Sequence, residues 1–120
     1  MSGRVHVVDD DASFRTAIER RLKKAGYEVV TYPSAQHFLD RMPSESELGC
    51  ILLDVRIPGL SGPELQCRLN ELGSTLPIVF LTGHADVPTT VRTMKAGAAD
   101  FLTKPVSSDK LLPTMKRGVA

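Results

Sequence analysis

A few residues in this chain carry groups that would do chemistry together if the fold brought them within reach. Asp9, Asp10 and Asp11 follow the apolar pair Val7-Val8, Asp54 follows Cys50 to Leu53, Thr82 follows Ile78 to Leu81, and Lys104 stands before Pro105. Like charges a few ångströms apart raise one another's pKa, so carboxylates crowded into a crevice call for a cation. The donors are all oxygens, which selects a hard ion, and Mg²⁺ is typically held by one or two carboxylates plus waters and phosphate oxygens. Ionised Asp9, Asp10 and Asp54 carry three negative charges, which a divalent ion and Lys104 would cancel. A carboxylate in that setting can attack a phosphoryl group, giving an aspartyl phosphate while metal and lysine stabilise the transferred oxygens. Asp54 is the nucleophile candidate because it ends its apolar run alone, whereas Asp9 and Asp10 form a pair suited to holding the ion. Thr82 offers a hydroxyl donor.

The elements that must position these residues follow from two alternating periods, short apolar runs and longer helical stripes, the pattern of βαβ units around a parallel sheet. Val5 to Val8, Val29 to Tyr32, Cys50 to Leu53, Ile78 to Leu81 and Phe101 to Thr103 are the predicted strands. Between them lie stripes at helical spacing: Phe14, Ala17, Ile18, Leu22 and Ala25, closed by Gly26; Ala35, Phe38, Leu39 and Met42, stopped by Pro43; Leu65, Leu69 and Leu72, closed by Gly73; and Val87, Val91, Met94 and Ala98. Ser61 and Glu64 have the spacing of a capping box. Residues 43–49 read as a polar surface loop. A last stripe, Leu111, Leu112, Met115 and Val119, contains Pro113, which predicts a helix that starts late, kinks or is short. The expected fold is α/β, a doubly wound five-stranded parallel sheet in one domain spanning residues 1–120. In such sheets ligands bind along the carboxyl edge, where the candidates would meet, and the strand order 2-1-3-4-5 would set Asp10 beside Asp54.

Fifteen basic and 14 acidic residues leave a net charge of +1, with no footprint for direct nucleic-acid or membrane-surface binding. No apolar run suits a membrane span or a secretion signal, so the expectation is a cytoplasmic protein. Cys50 and Cys67 lack metal or redox spacing and are expected as reduced structural thiols, and His6, among valines, as a core histidine. Asp11, preceding the helix at Phe14, is expected to favour that helix through its dipole rather than to bind metal.

With Asp9-Asp10, Asp54, Thr82 and Lys104-Pro105 assembled, the chain resembles the receiver domains of two-component response regulators, phosphoryl-accepting modules paired with sensor histidine kinases. The resemblance runs from about Val5 to Met115 and rests on "VVDDDASFR", "LLDVRIPGLSG" and "FLTGHADVPTTVRTMKAGAADFLTKP". Its wording is closest to FixJ-like and NarL-like transcriptional regulators, whose receivers precede a helix-turn-helix domain.

The resemblance implies a flavodoxin-like (βα)5 fold with strand order 2-1-3-4-5. It makes Asp54 the phosphoacceptor, Asp10 a direct Mg²⁺ ligand, Asp9 a ligand through water and the Arg56 carbonyl the third protein oxygen. Thr82 and Lys104 would contact the phosphoryl group, and the Lys104-Pro105 peptide would be cis. By the same resemblance, Arg56 and His84 would occupy positions that tune phosphoryl lifetime. Thr82 and Phe101 would form a switch; phenylalanine in place of the commoner tyrosine keeps the ring motion and removes a hydroxyl. The implied partners are a sensor histidine kinase and a second copy docking through the face of helix 4, strand 5 and helix 5, with Pro113 bearing on that geometry.

Two other readings compete. Asp9-Asp10-Asp11 also fits the "DxD" of a haloacid dehalogenase-type phosphohydrolase with Asp9 as nucleophile, but the chain is short for that fold and lacks a second acidic pair after strand four. A receiver fold that no longer accepts phosphate would not be expected to keep the whole set of site residues.

Overall fold

The predicted strands form one parallel sheet in the order β2-β1-β3-β4-β5. The structure, a computed structural model, describes residues 3–42 and 49–119. In chain order the elements are β1 (Arg4–Val8), α1 (Ala12–Lys24), β2 (Glu28–Tyr32), α2 (Ala35–Asp40), β3 (Gly49–Leu53), α3 (Gly62–Glu71), β4 (Ile78–Thr82), α4 (Val87–Lys95), β5 (Asp100–Thr103) and α5 (Ser108–Val119). The expected fold class and strand order hold.

Polar side chains start the helices where the sequence offers them. Asp11 caps α1 by accepting from the Ser13 and Phe14 N–H groups, and Ser61 and Glu64 close a reciprocal capping box on α3. Gly26, at φ 97°, and Gly73, at φ 74°, end α1 and α3 in the left-handed region that glycine enters without a Cβ penalty.

Strand side chains alternate between two cores, because successive residues point to opposite faces. Val8, Ile51, Leu53, Ile78 and Phe80 pack with Phe38, Leu65 and Leu69 beneath α2 and α3. Val5, Val7, Leu52, Val79 and Leu81 pack with Ile18, Leu22, Leu111 and Met115 beneath α1 and α5. β3 and β4 are buried along their whole length, and each fully buried Leu, Ile or Val contributes about 1.5–3 kcal/mol of transfer free energy. This rigid centre carries Asp54 and Thr82.

Three details differ from the sequence expectation. Helix α2 stops at Asp40, so Met42 lies past its end and is exposed. Helix α5 neither starts late nor is short: it begins at Ser108 and runs through Pro113. Pro113 is exposed while Leu111 and Met115 on the opposite side are fully buried, so packing holds the helix across the one hydrogen bond that proline removes. Third, the apolar stripe of α4 does not face the core: Val87, Val91 and Met94 are 75%, 44% and 41% exposed. The buried residue of α4 is Thr93. Two amides of α3 tie this helix down, Gln66 Nε2 donating to the Thr93 carbonyl (2.9 Å) and Asn70 Nδ2 to the Ala96 carbonyl (3.0 Å). The predicted loop at 43–49 falls, apart from Gly49, outside the described residues, as does the side chain of Val119.

The first helical residue of α3, Gly62, lies directly against the strand end that carries Asp54. A Cβ there would stand 2.3 Å from the Asp54 carbonyl oxygen and 3.0 Å from the Val55 Cα. Backbone cannot yield as a flexible side chain would. Gly62→Ala is expected to lower unfolding free energy by about 2–3 kcal/mol, read as a shift in urea midpoint at unchanged m.

Candidate functional site

Parallel pairing brings the ends of β1, β3, β4 and β5 to one edge, in adjacent positions. Val8 pairs with Leu53, so Asp9 and Asp54 leave neighbouring strands together, and the Asp54 N–H donates to the Val8 carbonyl at 3.0 Å. On the far side the Lys104 N–H donates to the Thr82 carbonyl at 2.8 Å, placing Lys104 beside the end of β4. Oxygen atoms of Asp9, Asp10 and Asp54 lie within 4.8 Å of one another. Asp9 and Asp54 are buried and Asp10 is exposed. The all-oxygen set fits a hard cation of the Mg²⁺ type, and the exposed Asp10 carboxylate leaves the cluster open to solvent.

Lys104 spans the buried acids. Its Nζ donates to Asp9 Oδ2 at 2.7 Å and to Asp54 Oδ2 at 3.2 Å, and it sits 4.1 Å from the centroid of the Phe14 ring. The remaining oxygens are also held. Asp9 Oδ1 accepts from the Asp11 N–H (2.9 Å), and Asp54 Oδ1 from the Arg56 N–H (3.1 Å).

Electrostatics follow from this packing. Burial is the main cause that raises the pKa of Asp54; the Arg56 N–H opposes it, the Asp9 charge adds to it and Lys104 opposes it, leaving the carboxyl above its ordinary value. For Lys104, burial alone would lower the pKa, but the hydrogen bond to Asp9 and the charges of Asp54 and Asp9 outweigh it and raise the ammonium above its usual value. A cationic lysine therefore stands between the two buried carboxylates, beside an Asp54 whose charged form burial disfavours.

The other sequence-predicted residues lie around this centre. Thr82 is 1% exposed, and its hydroxyl oxygen accepts from the His84 N–H at 3.2 Å, which leaves the hydroxyl proton for another acceptor. The side chain of His84 is exposed. Arg56 turns its guanidinium outward, 3.9 Å from Asp86, the residue whose carboxylate caps α4. Phe101 is half-buried and stacks on Phe80 with ring centroids 5.9 Å apart. The Lys104-Pro105 peptide is cis.

Several contacts were not legible as site features. Phe14 reads in sequence as one more apolar helix position, and its place over Lys104 depends on a contact across 90 positions of chain. Arg15 donates to the Asp9 carbonyl at 2.7 Å; its position four residues after the helix cap Asp11, facing back to the strand end, was the available signal. Asp86 had the signal of a helix cap but none for its approach to Arg56. Outside the site, Asp11 acts as a cap, His6 is buried with its ring nitrogen 2.9 Å from the Tyr32 hydroxyl, and both cysteines are free thiols. Burial pushes the Cys50 thiol up to about 12. Among the described residues no helix is long and apolar enough to cross a membrane.

Comparison with known proteins places this geometry in a family. Residues 5–116 match the response regulator receiver domain. The chain is 44% identical over 117 residues to the transcriptional regulatory protein FixJ of Bradyrhizobium diazoefficiens, covering 98% of this chain and 57% of that protein. It is 47% identical over 109 residues to nodulation protein W of the same organism, covering 90% and 47%, and 39% identical over 112 residues to the response regulator TodT of Pseudomonas putida, covering 93% and 49%. The chain thus spans about half the length of the curated relatives it matches. Full-length FixJ from B. japonicum superposes with a TM-score of 0.90 at 42% identity, covering 99% of this chain and 59% of that one. The response regulator StyR gives 0.90 at 44%, covering 99% and 60%. These matches favour the receiver over the phosphohydrolase reading, and the chain belongs to the response regulator receiver domain family of two-component signalling.

Proposed function

We propose that this receiver takes a phosphoryl group from a sensor histidine kinase onto Asp54 in a Mg²⁺-dependent reaction and thereby regulates a transcriptional output. The observation that carries the reading is the convergence of Asp9, Asp10 and Asp54 oxygens within 4.8 Å, with Lys104 bonded to the two buried acids. Asp10 would ligate the ion directly, Asp9 through water, and Asp54 and the Arg56 carbonyl would complete the protein's share. Bound Mg²⁺ would supply charge neutralisation on the transferred oxygens.

The chain's own residues do the rest. An Asp54 oxygen attacks phosphorus, the new P–O bond forms, and the bond to the donor's leaving group breaks with its electron pair departing on that group. Lys104 donates a hydrogen bond to a phosphoryl oxygen and keeps its proton. The Thr82 hydroxyl, whose oxygen already accepts from His84, donates to a second. That donation draws Thr82 toward the site and makes room for the half-buried Phe101 ring to turn further inward, which links phosphorylation to the surface of α4 and β5. Loss of the phosphoryl group to water is the domain's own assisted hydrolysis, at a rate set by Arg56 and His84 beside the entrance.

Support for an output comes from the relatives, named as transcriptional regulators and about twice as long as this chain. The exposed Val87, Val91 and Met94 of α4 suit a second copy docking through the α4-β5-α5 face, with Pro113 exposed on α5. We assign the domain 1–120 to the cytoplasm, where kinase and output would meet.

A small phosphodonor such as acetyl phosphate, with Mg²⁺, is expected to label Asp54 and to leave Asp54→Ala unlabelled by mass spectrometry; persistent labelling of that variant would sink the assignment. Val91→Asp is expected to weaken self-association of the phosphorylated domain about tenfold in sedimentation equilibrium. The raised pKa of Asp54 also fixes a sign. Its contribution to stability is fully present below the ordinary aspartate value of 3.8 and is lost as pH rises through the higher folded value. Without divalent ions, Asp54→Asn is therefore expected to raise the urea midpoint at pH 7, the gain shrinking as pH falls toward 4 in urea titrations.

A further inference from the structure

Lys104 is the cation on which the proposed transfer depends, and its ammonium is held from three directions. Two are the carboxylates of Asp9, at 2.7 Å, and Asp54, at 3.2 Å. The third is the face of Phe14, 4.1 Å from nitrogen to ring centroid. An aromatic face within about 6 Å attracts an ammonium through its quadrupole, more strongly where water is partly excluded. The lysine side chain is 21% exposed, and Phe14 is half-buried against the α1/α5 core.

The backbone around the ring is tied to the acidic run on both sides. The Phe14 N–H donates to the capping carboxylate of Asp11 at 3.2 Å, and the next residue, Arg15, donates to the Asp9 carbonyl at 2.7 Å. The ring is thus placed by the same strand end that supplies the acids.

The two carboxylate holds would change during the reaction. As Asp54 bonds to phosphorus, its oxygens lose charge and bind the ammonium less well, and Asp9 would be shared between the ammonium and a cation held at the acid cluster. Lysine hangs on a flexible four-carbon stem and would wander without another restraint. The aromatic face keeps its attraction throughout and requires no particular N–H, so donors stay available for a phosphoryl oxygen. We infer that Phe14 is a positioning residue for phosphoryl transfer, its ring holding the Lys104 ammonium at the acid cluster while that ammonium exchanges a carboxylate for a phosphoryl oxygen. This rests on the reading of Lys104 as the cation at the transferred group.

The test uses the full chain with phenylalanines carrying one, two or three ring fluorines placed site-specifically at position 14, beside Phe14→Tyr and Phe14→Leu. Fluorine drains the ring quadrupole stepwise with little change in volume. Labelling of Asp54 by acetyl phosphate with Mg²⁺, loss of that label, urea midpoints and the proton shifts of the Lys104 ε-methylene are measured. Both rates are expected to fall log-linearly along the fluorinated series at constant urea midpoint. They should reach about three- to tenfold below the parent in Phe14→Leu, with Phe14→Tyr at the parent rate. The Lys104 ε-protons should show an upfield ring-current shift that disappears in Phe14→Leu. Rates that are flat across the fluorinated series, or that fall only in Phe14→Leu together with its urea midpoint, would make Phe14 core filling and overturn the inference. A parent chain that takes no label at Asp54 would instead overturn the reading of the site, and this inference with it.

Discussion

Carboxylates that share one small space resist being ionised together, and the rest of this molecule is arranged around that resistance. Asp9 and Asp54 are buried on adjacent strand ends with Asp10 at their rim, and Lys104 is drawn between the buried pair. Each of the four follows a strand end within two residues, so the charge cluster exists because the sheet is parallel and its carboxyl ends share an edge. An antiparallel arrangement of the same strands would scatter these residues to both edges. The stiff centre of the sheet, β3 and β4 buried throughout, keeps the acids close despite their repulsion. Repulsion held by a rigid frame gives the site its affinity for positive charge.

Which elements would be free to respond to a change at the sheet edge follows from which are held by apolar burial and which are not. Helices α1, α3 and α5 each send buried apolar residues into a core, as Ile18 and Leu22, Leu65 and Leu69, and Leu111 and Met115. Helix α4 buries Thr93 and is fastened near its C-terminal end by Gln66 and Asn70. A neutral intramolecular hydrogen bond contributes about 0.5–1.5 kcal/mol net, less than a buried leucine. The N-terminal end of α4, near Asp86 and Arg56, is the end closest to the chemistry.

The sequence disclosed the site more fully than the surface. Asp54, Thr82 and Lys104 were legible because each ends an apolar run, and a run that stops at a polar residue marks a strand end without knowledge of its partners. The order of the strands was not legible from the residues themselves; it came from the resemblance. The orientation of α4 was hidden because helical spacing tells that Val87, Val91 and Met94 share a side, not which side faces the core. Pro113 misled for a related reason: local propensity predicts a late start or a short helix, and the buried Leu111 and Met115 override it. The ring of Phe14 over Lys104 lay out of reach because no local pattern encodes a pairing between the first helix and the last strand end.

The fastening of α4 by amides has a consequence for how such a domain can diversify. Substitutions on a helix that packs apolar residues inward change folding stability and surface character at once, which limits what drift can explore. Here the outward residues 87, 91 and 94 are decoupled from both cores, while the hydrogen bonds from Gln66 and Asn70 go to α4 backbone carbonyls and do not depend on its side chains. The outer face of α4 can be rewritten without loosening its attachment, so a new partner preference can arise while the acid cluster beneath it stays as it is.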